Sequence, residues 1–196
     1  FYIDRVGIDS FRSEVEEELK QPWAQVSFDP TPLMSIPDEE LEAPPPPVPT
    51  QNGHLDPEFH AWRETNVRPQ KQHGYNVVGI KLPLGDITSD QFHILARIAR
   101  QYAAGRARAT PEQNLVFRWV PDGHLHAVWQ ELKAVGFGDA GINEITDVVS
   151  CPGTDSCKLG ITSSMGLGRA VKETVTSMAI EDPLVRSLHI KMSGCP

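Results

Sequence analysis

Three cysteines, Cys151, Cys157 and Cys195, carry the strongest chemical signal in this 196-residue chain. Cys151 and Cys157 enclose Pro152-Gly153-Thr154-Asp155-Ser156, a run of small and turn-forming residues. Cys195 stands in Ser193-Gly194-Cys195-Pro196. Iron–sulfur clusters are held by cysteine thiolates, and small loop residues leave backbone N–H groups free to bond sulfur. Gly153 lets the backbone approach closely. Three thiolates are one short of the four a cubane cluster takes. Zinc is the competing metal, with His189 as a fourth ligand, although a CxxC spacing would favour zinc more. The bland alternative is three small buried hydrophobes, which the turn-rich loop disfavours. An odd cysteine count without a visible secretory signal argues against a disulfide framework.

A second constellation is Arg106-Ala107-Arg108-Ala109-Thr110-Pro111-Glu112-Gln113-Asn114. Arg106, Arg108 and Thr110 alternate, so on a strand all three point to one face. Two guanidiniums there can bind carboxylates through charge-assisted bonds. Gln113 and Asn114 add amide donors at the following turn. The competing reading is a solvated strand face.

Charge supports an anion. Residues 61–118 carry 9 basic and 4 acidic groups, a +5 island in a chain of net charge −8. An island suits a small anionic ligand, and the acidic total argues against nucleic acid. The segment Trp62 to Gln72 is polar and basic without a clear period. It reads as solvated chain entering the first strand, rather than as an arm over the ligand. Gly136-Phe137-Gly138-Asp139-Ala140-Gly141 fits GxGxxG, but follows a helix and precedes a strand, so it reads as a helix cap and loop. His124 and His126 read as surface residues. No GxSxG, HExxH or P-loop is present.

These residues must be positioned by the elements around them. Ile8, Phe11, Val15 and Leu19 recur at helical spacing and predict a helix over 8–19, capped by Asp9. Residues 21–57 read as a linker, with Pro44 to Pro47 and Pro49 in polyproline II. Strands are expected at 75–82, 106–109, 114–120 and 145–150. Helices are expected at 88–103, with a Thr88–Gln91 capping box, and at 125–135. This β-α-β-α-β rhythm is α+β and ferredoxin-like. A helix at 165–179 and a short strand at 189–193 follow. No apolar run reaches the ~18 residues of a membrane helix, and no signal peptide is visible at Phe1. The expectation is an internal piece of a cytoplasmic protein.

Cys151-Pro-Gly-Thr-Asp-Ser-Cys157-Lys-Leu-Gly, with the later Ser-Gly-Cys195-Pro, resembles the cluster signature of the sirohaem-dependent assimilatory nitrite and sulfite reductases. Arg106 to Leu115 resembles that family's strand-and-turn motif. Pro83-Leu84-Gly85-Asp86-Ile87-Thr88 and Thr65-Asn66-Val67 up to Gln72 are similar to its bacterial branch. The resemblance covers about residues 59–196. It implies a ferredoxin-like half-domain over 58–144, followed by part of an α/β cluster-binding domain over 145–196. Residues 1–20 are then a helical tail of a preceding domain and 21–57 the linker.

The resemblance implies a [4Fe-4S] cluster on Cys151, Cys157, Cys195 and a fourth cysteine just past Pro196. It also implies sirohaem contacts from Arg106, Arg108, Gln113 and Asn114, with Thr154 and Ser156 tuning the cluster. The implied reaction is six-electron reduction of nitrite to ammonia or sulfite to sulfide. The implied partners are a small anion and an electron donor, either ferredoxin or an NAD(P)H-linked flavoprotein. No catalytic residue is assigned, and the piece alone is expected to be inactive. Two alternatives remain: a cobalamin-pathway precorrin hydroxylase of the same fold, and a non-catalytic zinc or interaction module.

Overall fold

The computed structural model describes residues 2–27, 29–31 and 56–195. The polyproline stretch lies outside them. The chain divides into two compact units, one within residues 1–42 and one from residue 43 onward. In the first, Tyr2–Val6 (α1) and Ile8–Glu18 (α2) meet at Gly7, whose φ of 84° suits a residue without Cβ. Gly7, not the expected Asp9, occupies the N-cap position of α2, and no side chain caps the helix. The Tyr2 hydroxyl donates to Glu14 at 2.7 Å. Neither helix buries a residue, and Ile8, Val15 and Leu19 stay exposed.

The second unit begins with Pro57–Asn66 (α3). Asp56 caps it by accepting from Glu58 N–H at 2.9 Å and Phe59 N–H at 3.4 Å. Pro57 sits in the first turn, where a missing N–H costs nothing. The helix runs straight into Val67–Pro69 (β1). This corrects the solvated segment expected from Trp62 onward. Trp62 is fully buried and stacks on Phe59, ring centroids 6.0 Å apart. That i, i+3 aromatic pair was the helical signal amid the polar residues.

Tyr75–Ile80 (β2), Ser89–Tyr102 (α4), Ala107–Ala109 (β3), Leu115–Pro121 (β4) and Leu125–Ala134 (α5) complete the half-domain. The capping box forms as expected: Gln91 N–H donates to Thr88 Oγ1 at 3.2 Å, and Thr88 N–H to Gln91 Oε1 at 3.0 Å. Gly136, at φ 84°, ends α5, and Phe137 N–H returns to Leu132 O at 2.9 Å. The GxGxxG run is therefore a helix cap, as its context suggested.

The sheet is antiparallel, in the order β1-β2-β4-β3. Val67 faces Val78, and Phe117 lies between Val78 and Ala107. Val78, Ile80 and Phe117 share one core with Trp62 of α3, Leu95 and Ile98 of α4, and Val128 and Leu132 of α5. The three helices thus cover one face. Strand alternation sends Arg68, Arg108 and Arg118 to the other, while Arg106, expected as the first residue of β3, precedes that strand. Part of that second face is covered by the loop after α5. A Cβ on Gly79 would lie 2.6 Å from Ile142 Cδ1, so only glycine fits beneath that side chain.

The strand expected over 145–150 is shorter. Asp147 N–H bonds Glu144 O at 2.7 Å in a turn, and only Val149–Ser150 (β5) is extended. β5 does not join the four-stranded sheet. It pairs in parallel with Lys191–Met192 (β6), beyond Ser164–Ser177 (α6) and Pro183–Arg186 (α7).

Candidate functional site

The parallel β5–β6 pair decides where the cysteines go. Ser150 is in register with Met192, and Cys151 N–H bonds Met192 O at 3.2 Å. Both strands therefore end side by side, one at Cys151 and the other at Ser193-Gly194-Cys195. Gly194 N–H then points at Cys151 Sγ, 3.1 Å away. Ser164, the buried first residue of α6, donates its hydroxyl to Cys151 O at 2.8 Å and lies 3.3 Å from Cys151 Sγ. The Ser164 hydroxyl first, then the N–H groups of Gly194 and Gly153, hold the Cys151 thiol below the ordinary cysteine range. Ser193 acts in the same sense, and partial burial opposes them. Cys151 is half-buried, whereas Cys157 and Cys195 are exposed, Cys195 Sγ lying 3.2 Å from Ser193 Oγ.

Glycines make this packing possible. Gly153 takes φ 54°. A Cβ on Gly194 would meet Gly153 Cα at 2.7 Å and Thr162 O at 2.8 Å. One on Gly160 would meet the Gly153 carbonyl carbon at 2.6 Å. Thr154 N–H bonds Thr162 O at 3.1 Å, and Ile161 N–H bonds Gly194 O at 2.7 Å. Three loops, around residues 153, 161 and 194, are thereby laced together.

The turn before β4 supports this cluster from the half-domain side. Gln113, at φ 62°, donates its amide to Ser150 O at 2.9 Å and accepts from Ser150 N–H at 3.2 Å. Asn114 is almost fully buried. It accepts from Leu82 N–H at 2.8 Å and donates to Asp147 Oδ2 at 2.7 Å. The Thr110 hydroxyl accepts from Asn114 N–H at 3.2 Å. Gln113 and Asn114, expected as ligand contacts, thus spend their amides on the protein's own frame, and Thr110 closes the turn.

Residues 68–135, from β1 to the end of α5, match the profile of the Nitrite/Sulfite reductase ferredoxin-like half domain. A ferredoxin–nitrite reductase of Synechococcus elongatus is 32% identical over 197 residues, covering 99% of this chain. The chain thus carries the ferredoxin-like half-domain of the nitrite/sulfite reductases. The chloroplastic ferredoxin–nitrite reductase of Spinacia oleracea is 27% identical, again over 99% of the chain. An assimilatory-type sulfite reductase of Nitratidesulfovibrio vulgaris is 27% identical over 116 residues, 59% of this chain and 51% of that protein. The solved structure of the Mycobacterium tuberculosis NirA protein shares the fold, with a TM-score of 0.53 and 23% identity, over 100% of this chain and 32% of its own. The chain spans about a third of the length of the two nitrite reductases.

On this nitrite/sulfite reductase half-domain, Arg106 is half-buried just before β3, and Arg108 is exposed on the sheet face away from the helices. Arg68 and Arg118 share that face. Arg68 lies in the basic Trp62–Gln72 segment, and its register with Val77 gives the side it faces, while Arg118 follows the core-facing Phe117. Thr154 and Ser156 are exposed on the cysteine loop. His189 is exposed, and His126 packs on Phe59 with ring centroids 4.9 Å apart. Among the described residues no three His, Cys, Asp or Glu side chains are placed to hold a metal ion, so the expected three-thiolate set is not drawn together. What fits a thiolate-ligated group is the donor chemistry: a thiol biased toward thiolate, aimed N–H groups and a glycine-lined loop. Among the described residues no helix is long and apolar enough to cross a membrane.

Proposed function

We propose that this chain is the cluster-side portion of a sirohaem- and [4Fe-4S]-dependent nitrite or sulfite reductase. The observation that carries the reading is the β5–β6 pair, which brings Cys151 and the Cys195 loop to one edge, pinned by Gln113 to the half-domain. Cys151, Cys157 and Cys195 would hold the cluster, with Gly194 and Gly153 N–H groups bonding sulfur and Thr154 on the same loop. Arg106 and Arg108, joined by Arg68 and Arg118, suit the carboxylates of sirohaem. The Gln113 and Asn114 amides serve this site by fixing the turn between the arginines and the cysteines. When bound, the cluster and sirohaem would pass the donor's electrons on to nitrite or sulfite, taking them to ammonia or sulfide. The names of the relatives favour nitrite as the anion and ferredoxin as the donor. Within this reading the reductase works in the cytoplasm.

The test uses the full-length gene product, purified from cells that make sirohaem. Iron, acid-labile sulfide and the visible absorbance of the chromophore are expected together, and Cys151→Ser removes iron. A Cys157→Ser or Cys195→Ser variant is expected to do the same, while Arg106→Ala with Arg108→Ala weakens chromophore retention. A colourless protein with stoichiometric zinc would overturn the reading in favour of a zinc module. Activity on a tetrapyrrole precursor, with none on nitrite or sulfite, would overturn it in favour of a corrin-pathway hydroxylase.

A further inference from the structure

Two charged groups lie buried between the half-domain and the cysteine loops. Lys81, just past β2, is 5% exposed and Asp147, in the turn before β5, is 6% exposed. Lys81 Nζ donates to Thr146 Oγ1 at 3.0 Å and to Ala140 O at 3.3 Å. Asp147 Oδ2 accepts from Asn114 Nδ2 at 2.7 Å and from Asn143 N–H at 2.8 Å. The charges facing Lys81 are Asp147, Asp139 and Glu144, which attract it, and Lys172 of α6, which repels it. Desolvation outweighs them and lowers the lysine below its ordinary range.

This arrangement holds the turn without a direct ion pair: Lys81 bonds the Thr146 hydroxyl, next to Asp147, and the two charges attract from there. Its distinctive property is direction. Asp147 can satisfy Asn114 and Asn143 only where the turn places it. Asn114 in turn fixes Leu82 N–H and the Thr110–Asn114 turn. That turn carries Gln113, whose amide grips both polar groups of Ser150, the residue before Cys151.

We propose that Asp147 is a positioning residue for the cysteine site, and that Lys81 holds the same turn through its bonds to Thr146 and Ala140. The path runs from Lys81 and Asp147 through Asn114 and Gln113 to the backbone entering Cys151. The positioning stands on its own geometry; its consequence for metal loading rests on the cluster reading above.

Amide hydrogen exchange of the 196-residue chain, followed residue by residue by NMR, tests this, because local openings are read separately from global unfolding. Asp147→Asn is expected to speed exchange of Ser150 and Leu82 N–H about tenfold while Val78 and Phe117 in the β2–β4 ladder stay unchanged. Lys81→Met is expected to act on the same two amides, and the double variant to fall short of the sum of the two effects. If Asp147→Asn does not fold, Asp147→Glu keeps the charge, moves the oxygens by one methylene and is expected to give the same selective pattern. Equal acceleration of all amides would reduce Asp147 to a structural role and overturn the proposal, as would an unchanged Ser150. Iron content of the full-length gene product is the second readout, expected to fall several-fold in Asp147→Asn. Wild-type protein without iron would sink the cluster reading and leave the exchange result to decide the positioning alone.

Discussion

Gln113 and Ser150, 37 residues apart in sequence, exchange two hydrogen bonds: the glutamine amide donates to Ser150 O at 2.9 Å and accepts from Ser150 N–H at 3.2 Å. The side chain acts here as a substitute strand. It satisfies both polar groups of a buried backbone unit that has β6 on only one side. Gln113→Ala leaves those groups without partners. A buried donor or acceptor left unmade costs about 1–3 kcal/mol, so the urea midpoint should fall accordingly. An unchanged midpoint would mean that water replaces the amide and that the link is dispensable.

Asn114→Asp tests the neighbouring joint. It puts a second carboxylate about where the amide now meets Asp147 Oδ2 at 2.7 Å. Two carboxylates at that distance cannot both ionise cheaply, so one of them keeps a proton to higher pH than in the unfolded chain. A carboxyl with a raised folded pKa contributes stability at low pH and loses it as pH rises through that value. The variant is therefore expected to be about 3 kcal/mol less stable than wild type at neutral pH and to recover part of the loss at about pH 5. Denaturation at the two pH values checks this. A loss independent of pH would mean that the two carboxylates have moved apart.

Gly194→Ala probes the loop lacing. The new methyl would sit 2.7 Å from Gly153 Cα and 2.8 Å from Thr162 O, both backbone, so neither can rotate away. The cysteine loops should separate while the half-domain keeps its own core. Limited proteolysis is expected to cut among residues 151–164 and to spare the segment from α3 to α5. Wild-type resistance throughout would show that the three loops tolerate a wider spacing.

Most of the half-domain was legible because its signals are local. The Thr88–Gln91 capping box, the apolar side of α4 and the glycine after α5 each specify an element within a few residues. The α3 helix was hidden because its third buried position is the polar Asn66, which leaves the apolar period to Phe59 and Trp62 alone. The site was legible as residue types but not as connections. Cys151, Arg106, Gln113 and Asn114 stand out in sequence, yet nothing local says that Gln113 turns its amide on Ser150. Asp147, Lys81 and Ser164 look ordinary until packing brings them together. The expected 145–150 strand failed for a related reason: Asn143 at φ 59° and the Glu144–Asp147 turn bond depend on the loop docking over Gly79.

Cys151 should behave as a low-pKa thiol before any metal binds. The thiolate is the form that alkylates, and Ser164 is the largest influence stabilising it. Ser164→Ala removes that hydroxyl, so the thiol should return toward the ordinary range and react more slowly with iodoacetamide at neutral pH. Rates at Cys151, followed by peptide mass spectrometry across pH, supply the measurement. The midpoint is expected to move upward in the variant. A rate profile at Cys151 that Ser164→Ala does not move would assign the thiolate bias to the Gly194 and Gly153 N–H groups alone.

Lys81 gives the chain a stability term with a definite sign. Desolvation lowers its folded pKa, despite the attraction of Asp147, Asp139 and Glu144. Between that lowered value and the ordinary lysine range, the unfolded chain binds more protons than the folded one, so stability rises with pH there. Below the folded value the lysine is charged in both states and the cost of burying the charge is fully present. Lys81→Met has no such term. The stability of wild type relative to Lys81→Met should therefore increase as pH is raised from about 7 to about 10, toward the ordinary lysine value. Urea midpoints for both proteins across that range decide it. A constant difference would mean that Lys81 keeps an ordinary pKa in the folded chain, its charge fully compensated by the acidic groups around it.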